Sequence, residues 1–208
     1  MNKHFEAILF DFDGVIVDSE PVHYACWVEV LKPYGFDLDW DTYARNCIGI
    51  SDRKMLEQFA ANVGPPLELE MLLGEYPRKK EMFRKKMETA DVIHPDTLEL
   101  LSSLEGYKLA VVSSSARPEV EPSLVRFGVH HFFDTIVCGW EAGKLKPAPD
   151  PYIKAAELLG VTRAVVVEDS AAGEASGRAA GFPVVRVADP SEVASKVRAA
   201  LASGKVGL

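Results

Sequence analysis

Apolar residues run in short unbroken blocks at the two ends of this chain and fall at helical spacing in the part between. Phe5-Glu6-Ala7-Ile8-Leu9-Phe10 predicts a buried strand, which breaks at Asp11, and Gly14 lets the backbone turn. Ser19 is placed to cap a helix that opens on Glu20 and Pro21 and runs to about Tyr34, with Gly35 as its stop. His23, Trp27 and Leu31 recur one turn apart on a single face of it, as a packing stripe does. From Asp37 to Asp91 the spacing stays helical. A short helix is expected from Asp39 or Asp41 to near Cys47, and a turn at Gly49-Ile50-Ser51 leads into a helix from Asp52 to Asn62 capped by Ser51. After a break at Gly64-Pro65-Pro66, a longer helix is expected over 67–89, which Pro77 should kink or split.

Beyond Pro95 the pattern becomes strand alternating with helix, the signature of a parallel sheet. Helices are expected from Pro95 to Glu105, Pro118 to Phe127, Asp150 to Leu159, Ala171 to Ala180 and Ser191 to about Leu201, with a frayed tail after Ser203. The strands between them are Leu109 to Val112, Thr135 to Cys138, Ala164 to Val167 and Val184 to Val187. The fold predicted is α/β: a Rossmann-like parallel-sheet core over 1–17 and 90–208, with an inserted all-helical cap domain over 18–89.

Composition narrows the class. A chain of 208 residues at 48% hydrophobic content can build one sizeable core plus a smaller insert. Its net charge of −8 argues against a nucleic-acid binder, which must neutralise phosphates. It does not exclude a small anionic substrate, because a local cluster of lysine and metal can reverse the field at one cleft. Cys26, Cys47 and Cys138 have neither disulfide nor zinc spacing and suit a reducing cytoplasm. No apolar run approaches the roughly 20 residues of a membrane span, and the N-terminal run is too short for a signal peptide. The expectation is a cytoplasmic monomer that binds neither nucleic acid nor membrane.

In open α/β sheets, ligands bind at the carboxyl ends of the strands. Three such ends carry chemistry here: Asp11 with Asp13, Ser113 to Ser115, and Glu168 with Asp169. A loop lysine, Lys144 or Lys146, lies between the last two in sequence. Carboxylates this close repel one another and resist leaving water, so a cation is expected among them. Oxygen ligands with lysine suit Mg2+ better than zinc. Beside such a cation, Asp11 is placed to attack a phosphoryl group and form an aspartyl-phosphate, with its charge offset by metal and lysine. Asp13 would protonate the leaving oxygen and then activate water, while Ser113 and adjacent backbone N–H groups hold the non-transferred oxygens.

These motifs, in this order, resemble the haloacid dehalogenase (HAD) superfamily, in the branch with a small helical cap that includes β-phosphoglucomutase and many sugar phosphatases. D-F-D-G-V-I-V-D-S-E is similar to its first motif, which implies Asp11 as nucleophile and Asp13 as acid/base. V-V-S-S-S is similar to the second, implying phosphate binding by Ser113 with Ser114 beside it. K-P-A-P-D-P-Y is similar to the third and assigns the lysine to Lys146. V-V-V-E-D-S-A-A-G is similar to the fourth and implies Mg2+ held by Glu168 and Asp169, together with Asp11 and the main-chain carbonyl of Asp13. An aspartate at position 13 argues against the dehalogenase and phosphonatase branches.

The resemblance also implies roles in the cap. His23 and Trp27 match substrate-binding cap positions of β-phosphoglucomutase. In the basic run Arg78 to Lys86, Lys79 is the counterpart of its cap lysine, with Lys80 as the rival. Two departures concern the second phosphate that a mutase must hold. The mutase's cap arginine falls on Asp52, with Arg53 displaced by one position, a turn of about 100° on a helix. The lysine after its second motif falls near Ala116, with Arg117 one further on. Both favour hydrolysis, so the expectation is a phosphatase acting on a sugar- or polyol-phosphate-like metabolite. A phosphosugar mutase is the alternative. A phosphorylated receiver-type signalling switch is the more distant one, and the helical insert argues against it.

Overall fold

The computed structural model describes residues 4–48, 52–62 and 68–204. In chain order, strand β1 (Ala7–Phe10) is followed by helices α1 (Glu20–Leu31), α2 (Trp40–Asn46), α3 (Asp52–Asn62), α4 (Leu69–Leu73) and α5 (Tyr76–Met87). Then come α6 (Pro95–Ser103), β2 (Lys108–Ser113), α7 (Arg117–Arg126), β3 (Thr135–Cys138), α8 (Asp150–Leu159), β4 (Ala164–Glu168), α9 (Ala171–Ala179), β5 (Val184–Arg186) and α10 (Val193–Ser203). The chain divides into two compact units, one of them Ser19–Asp91 and the other formed by the segments on either side of it.

The sheet unit is a five-stranded parallel sheet in the order β3-β2-β1-β4-β5. Its central strand β1 is paired on both edges, with Phe10 opposite Val111 on one side and Val167 on the other. Every residue of β1 and β4 is buried. Helices cover both faces of such a sheet, which is why these strands read as unbroken apolar runs rather than alternating ones. Leu9, Val112 and Val166 pack with Leu159 and Tyr152 of α8, and each such side chain contributes roughly 1.5–3 kcal/mol. The small residues of α9 let it lie close to the sheet. A Cβ at Gly177 would fall 2.8 Å from Val184 and 3.1 Å from Val166.

In the helical unit, Trp27, Val30 and Leu31 of α1 pack against Met55, Leu56 and Leu72. Several local details differ from the sequence reading. Ser19 makes no side-chain cap hydrogen bond to α1. That helix ends at Leu31, and a 3-10 turn over Lys32–Tyr34 carries the chain to Gly35, whose φ of +85° ends it. Asp39, rather than Asp41, caps α2 by accepting from the Thr42 N–H at 2.8 Å. The stretch expected to be a helix over 67–89 that Pro77 kinks or splits is split into α4 and α5, and Pro77 sits in the first turn of α5, where its missing N–H leaves no hydrogen bond unmade. Strand β1 starts at Ala7 rather than Phe5, and α7 starts at Arg117 and contains Pro122. The turn at 49–51, the Ser51 cap, the break at 64–66 and the tail beyond 204 lie outside the described residues. Cys26, Cys47 and Cys138 are buried and free. Among the described residues, no helix is long and apolar enough to cross a membrane.

Candidate active site

Pairing continues one residue past β1, where the Asp11 N–H donates to Val167 O at 2.9 Å. The chain then folds back tightly, with the Gly14 N–H on Val17 O at 2.8 Å and the Ile16 and Val17 N–H groups both on Phe12 O. Gly14 is required twice over. Its φ is +73°, and a Cβ there would lie 2.2 Å from Asp169 Oδ2. The strand order does the rest, setting Ser113 at the end of β2 on one side of Asp11 and Glu168 with Asp169 at the end of β4 on the other.

Lys146 is the hub. Its side chain is 5% exposed, and Nζ lies 2.6 Å from Asp11 Oδ1 and 2.6 Å from Glu168 Oε1, and donates to Val112 O at 2.8 Å. Lys144, the other sequence candidate, is exposed and lies 3.7 Å from Asp150. Glu168 is fully buried. Its Oε1 also accepts from the Tyr152 hydroxyl at 2.7 Å, and Oε2 accepts from the Asp169 N–H (3.1 Å), the Ser170 N–H (3.2 Å) and the Ser170 hydroxyl (3.0 Å). A carboxylate at such depth is tolerated because its oxygens are saturated with donors. The fit is close, since a Cβ at Gly173 would lie 1.7 Å from Glu168 Oε1.

Electrostatics follow from three carboxylates around one ammonium. Burial, then the charges of Glu168 and Asp169, raise the Asp11 carboxyl well above its usual range, although Lys146 opposes the shift. Burial works against the Lys146 ammonium, but Asp11 and Glu168 outweigh it and hold Lys146 above its ordinary value. Asp169 is pushed up to about 6 by burial and by Glu168. The site is short of positive charge. Asp11, Glu168 and Asp169 each present an oxygen within 4.8 Å of the others. An all-carboxylate donor set that repels itself, with Asp169 cradled against the bare Cα of Gly14, fits a small hard cation.

Ser113 is buried and its Oγ accepts from the Ser115 N–H at 3.0 Å, whereas Ser114 is exposed. Asp13 is half-buried, and the Ser115 hydroxyl donates to its Oδ2 at 3.2 Å. Sequence reasoning missed the parts played by Ser115, Tyr152 and Ser170. The tyrosine closes the K-P-A-P-D-P-Y run and the serines sit inside quoted motifs, but only the packed strands show what each touches.

His23, Trp27 and Lys79 come together within the helical unit. Lys79 is 3% exposed, with Nζ 2.7 Å from His23 Nδ1, 3.4 Å from Asp52 Oδ2 and 5.0 Å from the centre of the Trp27 ring. His23 stacks on Phe83, with ring centres 4.0 Å apart, and burial and then Lys79 lower its pKa to about 4, which keeps the ring neutral; Nδ1 accepts from the Lys79 ammonium in the tautomer with its proton on Nε2. The Trp27 indole N–H is buried without a hydrogen-bond partner among the described residues. Lys80 points outward and lies over Tyr76. Asp52, in the position of the mutase arginine, thus pairs with the buried lysine.

Neither neighbouring arginine is uncommitted. Arg53 is exposed and pairs with Glu57 at 3.1 Å. Arg117 grips Glu141 through two bonds of 2.7 and 2.8 Å, and also meets Glu121 at 3.3 Å and Ile136 O at 2.7 Å.

Comparison with known proteins agrees with the fold. The family profile described as haloacid dehalogenase-like hydrolase matches residues 8–187. Fructose-1-phosphate phosphatase YqaB of Escherichia coli is 32% identical over 90% of this chain and 98% of its own. The phosphorylated carbohydrates phosphatase of Thermotoga maritima is 29% identical over 85% and 82%. A HAD family hydrolase from Deinococcus radiodurans, crystallised with bound phosphate and sodium, superposes with a TM-score of 0.78 at 29% identity, over 98% of this chain and 97% of that one.

Proposed function

This chain belongs to the haloacid dehalogenase-like hydrolases, and from that premise we propose that it is a Mg2+-dependent phosphatase. Its substrate is a small phosphorylated sugar or polyol, cleaved through an aspartyl-phosphate on Asp11. The observation that carries this reading is the Asp11–Lys146–Glu168 contact at the strand ends, with Asp169 and Ser113 on either side. The likeness to phosphatases of E. coli and T. maritima whose names specify phosphorylated sugars supports the substrate class.

Lys146 holds Asp11 by Oδ1, which leaves Oδ2 to attack phosphorus. As the bond to the leaving oxygen breaks, Asp13 delivers that oxygen a proton. It then takes one from the water that hydrolyses the aspartyl-phosphate. The Ser113 hydroxyl, accepting from Ser115, retains its own proton to donate to a non-transferred oxygen, with Ser114 and its backbone N–H beside it. A bound Mg2+ would offset the repulsion between Asp11 and the phosphoryl oxygens. Asp11, Asp169, Glu168 and the Asp13 carbonyl would hold it. Glu168 already accepts five hydrogen bonds, so Asp11 and Asp169 carry the larger share.

Hydrolysis is favoured over phosphosugar isomerisation by the commitment of Arg117 to Glu141 and Glu121, which removes a cation from any second phosphate. His23, Trp27 and Lys79 are assigned to substrate selection. The test is Mg2+-dependent phosphate release across a panel of sugar and polyol monophosphates. Turnover is expected, with Lys79→Met raising KM for the preferred ester more than it lowers kcat. Stable labelling of Asp11 by acetyl phosphate without turnover of any ester would overturn the reading in favour of a switch. Isomerisation of β-glucose 1-phosphate after priming with a bisphosphate would do so in favour of a mutase. The enzyme is expected to act as a cytoplasmic monomer, and elution of the purified protein at dimer mass would refute the second half of that statement.

Metal binding should be pH-dependent in a defined direction. The folded Asp169 carboxyl, at about 6, sits above its unfolded value, so metal-free stability falls as pH rises through that range. A cation binds only the ionised form. The increase in Tm caused by Mg2+ is therefore expected to be large above about pH 7 and to shrink toward zero near about pH 5. A shift that stayed constant across this window would place the cation elsewhere.

A further inference from the structure

We propose that Ser115 is a positioning residue for Asp13, its hydroxyl fixing the direction from which the acid/base carboxylate meets the leaving group and the water. The inference rests on the phosphatase reading and adds a residue to it.

Two bonds make Ser115 a link rather than a bystander. Its N–H donates to Ser113 Oγ at 3.0 Å, and its own Oγ donates to Asp13 Oδ2 at 3.2 Å. One residue thereby couples the end of β2, where the phosphate is to be held, to the turn after β1, where protons are to be exchanged. The backbone of Asp13 is already fixed from its own side, by the bridge to Val17 and by the Gly14–Val17 hydrogen bond. Ser115 acts on the side chain, where its hydroxyl holds Oδ2. A hydrogen bond to a charged acceptor is among the stronger neutral-donor interactions, and general acid–base catalysis requires the carboxylate within hydrogen-bond reach of the proton it moves.

The experiment compares two esters that differ in their need for an acid. A sugar phosphate leaves as a strongly basic alkoxide and must be protonated. p-Nitrophenyl phosphate leaves as a stabilised phenolate and needs little help. Ser115→Ala is expected to lower kcat/KM for the sugar phosphate on the order of tenfold or more, with a much smaller loss for p-nitrophenyl phosphate. Asp13→Ala should show the same asymmetry, larger. Ser115→Thr keeps the hydroxyl and should restore the sugar-phosphate activity, and it also serves if the alanine variant fails to fold. Equal losses on both esters at unchanged Tm, or no loss on either, would overturn the inference while leaving the phosphatase reading intact. Wild-type protein inactive on both esters would instead overturn that reading, and the inference with it.

Discussion

Replacing Asp11 with asparagine is expected to lower kcat by at least about 10,000-fold, the scale set by loss of a nucleophile. The amide matches the carboxylate in shape and still offers an oxygen to Lys146, which lies 2.6 Å from Oδ1. The fold should therefore persist. Stability should move in the opposite direction from activity when metal is absent. Burial and two neighbouring carboxylates raise the Asp11 carboxyl well above its ordinary range, so its ionised form costs stability at neutral pH, and removing that charge relieves the cost. The expected pair of results is no measurable phosphate release and a metal-free Tm at or above the wild-type value. Retention of ordinary turnover would remove Asp11 from the chemistry. A collapse in Tm would show that the residue is chiefly structural.

Lys146→Ala is expected to fail in both respects. Its Nζ is shared by Asp11 and Glu168, and its side chain is 5% exposed. Removing one partner of a buried ion pair typically costs about 3–5 kcal/mol, because the charges left behind cannot reach water. In a chain of this length that corresponds to a Tm lower by roughly 6–20 °C. Phosphate release should be lost as well, since Asp11 then has neither its positioning contact nor a positive charge against the phosphoryl oxygens. Added Mg2+ should recover part of the stability and little of the activity, because it replaces the charge but not the three contacts made by Nζ. Near wild-type Tm in the variant would mean that the carboxylates simply protonate. A pH titration of Tm detects that, as the deficit would then appear only above neutral pH.

Legibility in the sequence varied with how local the determining interaction is. The five strands and the helices between them were readable because burial on both faces of a parallel sheet leaves unbroken apolar runs, as in Ala164–Glu168. Helix ends were read less well. Ser19 has the right chemistry for a cap but makes no side-chain cap bond, and Pro77, expected to kink or split a helix, marks the start of the second of two. A residue type constrains the local backbone without dictating it. The cluster in the helical unit was half legible. His23 and Trp27 fall on one face of one helix, whereas the Asp52–Lys79 pair joins two helices whose packing no local pattern encodes.

The run from Phe10 to Glu20 and the three other motifs determined by themselves the α/β class, the acids at the strand ends and the hydrolase family, because strand periodicity and motif order are properties of the linear chain. Only the tertiary structure set Lys146, the lysine that the third motif assigns, against both Asp11 and Glu168, saturated Glu168 with Tyr152 and Ser170, and brought Ser115 to Asp13. Those outcomes depend on which strands lie side by side. β1 stands between β2 and β4, so residues more than a hundred positions apart share one small volume, where charge, burial and hydrogen bonding are settled together.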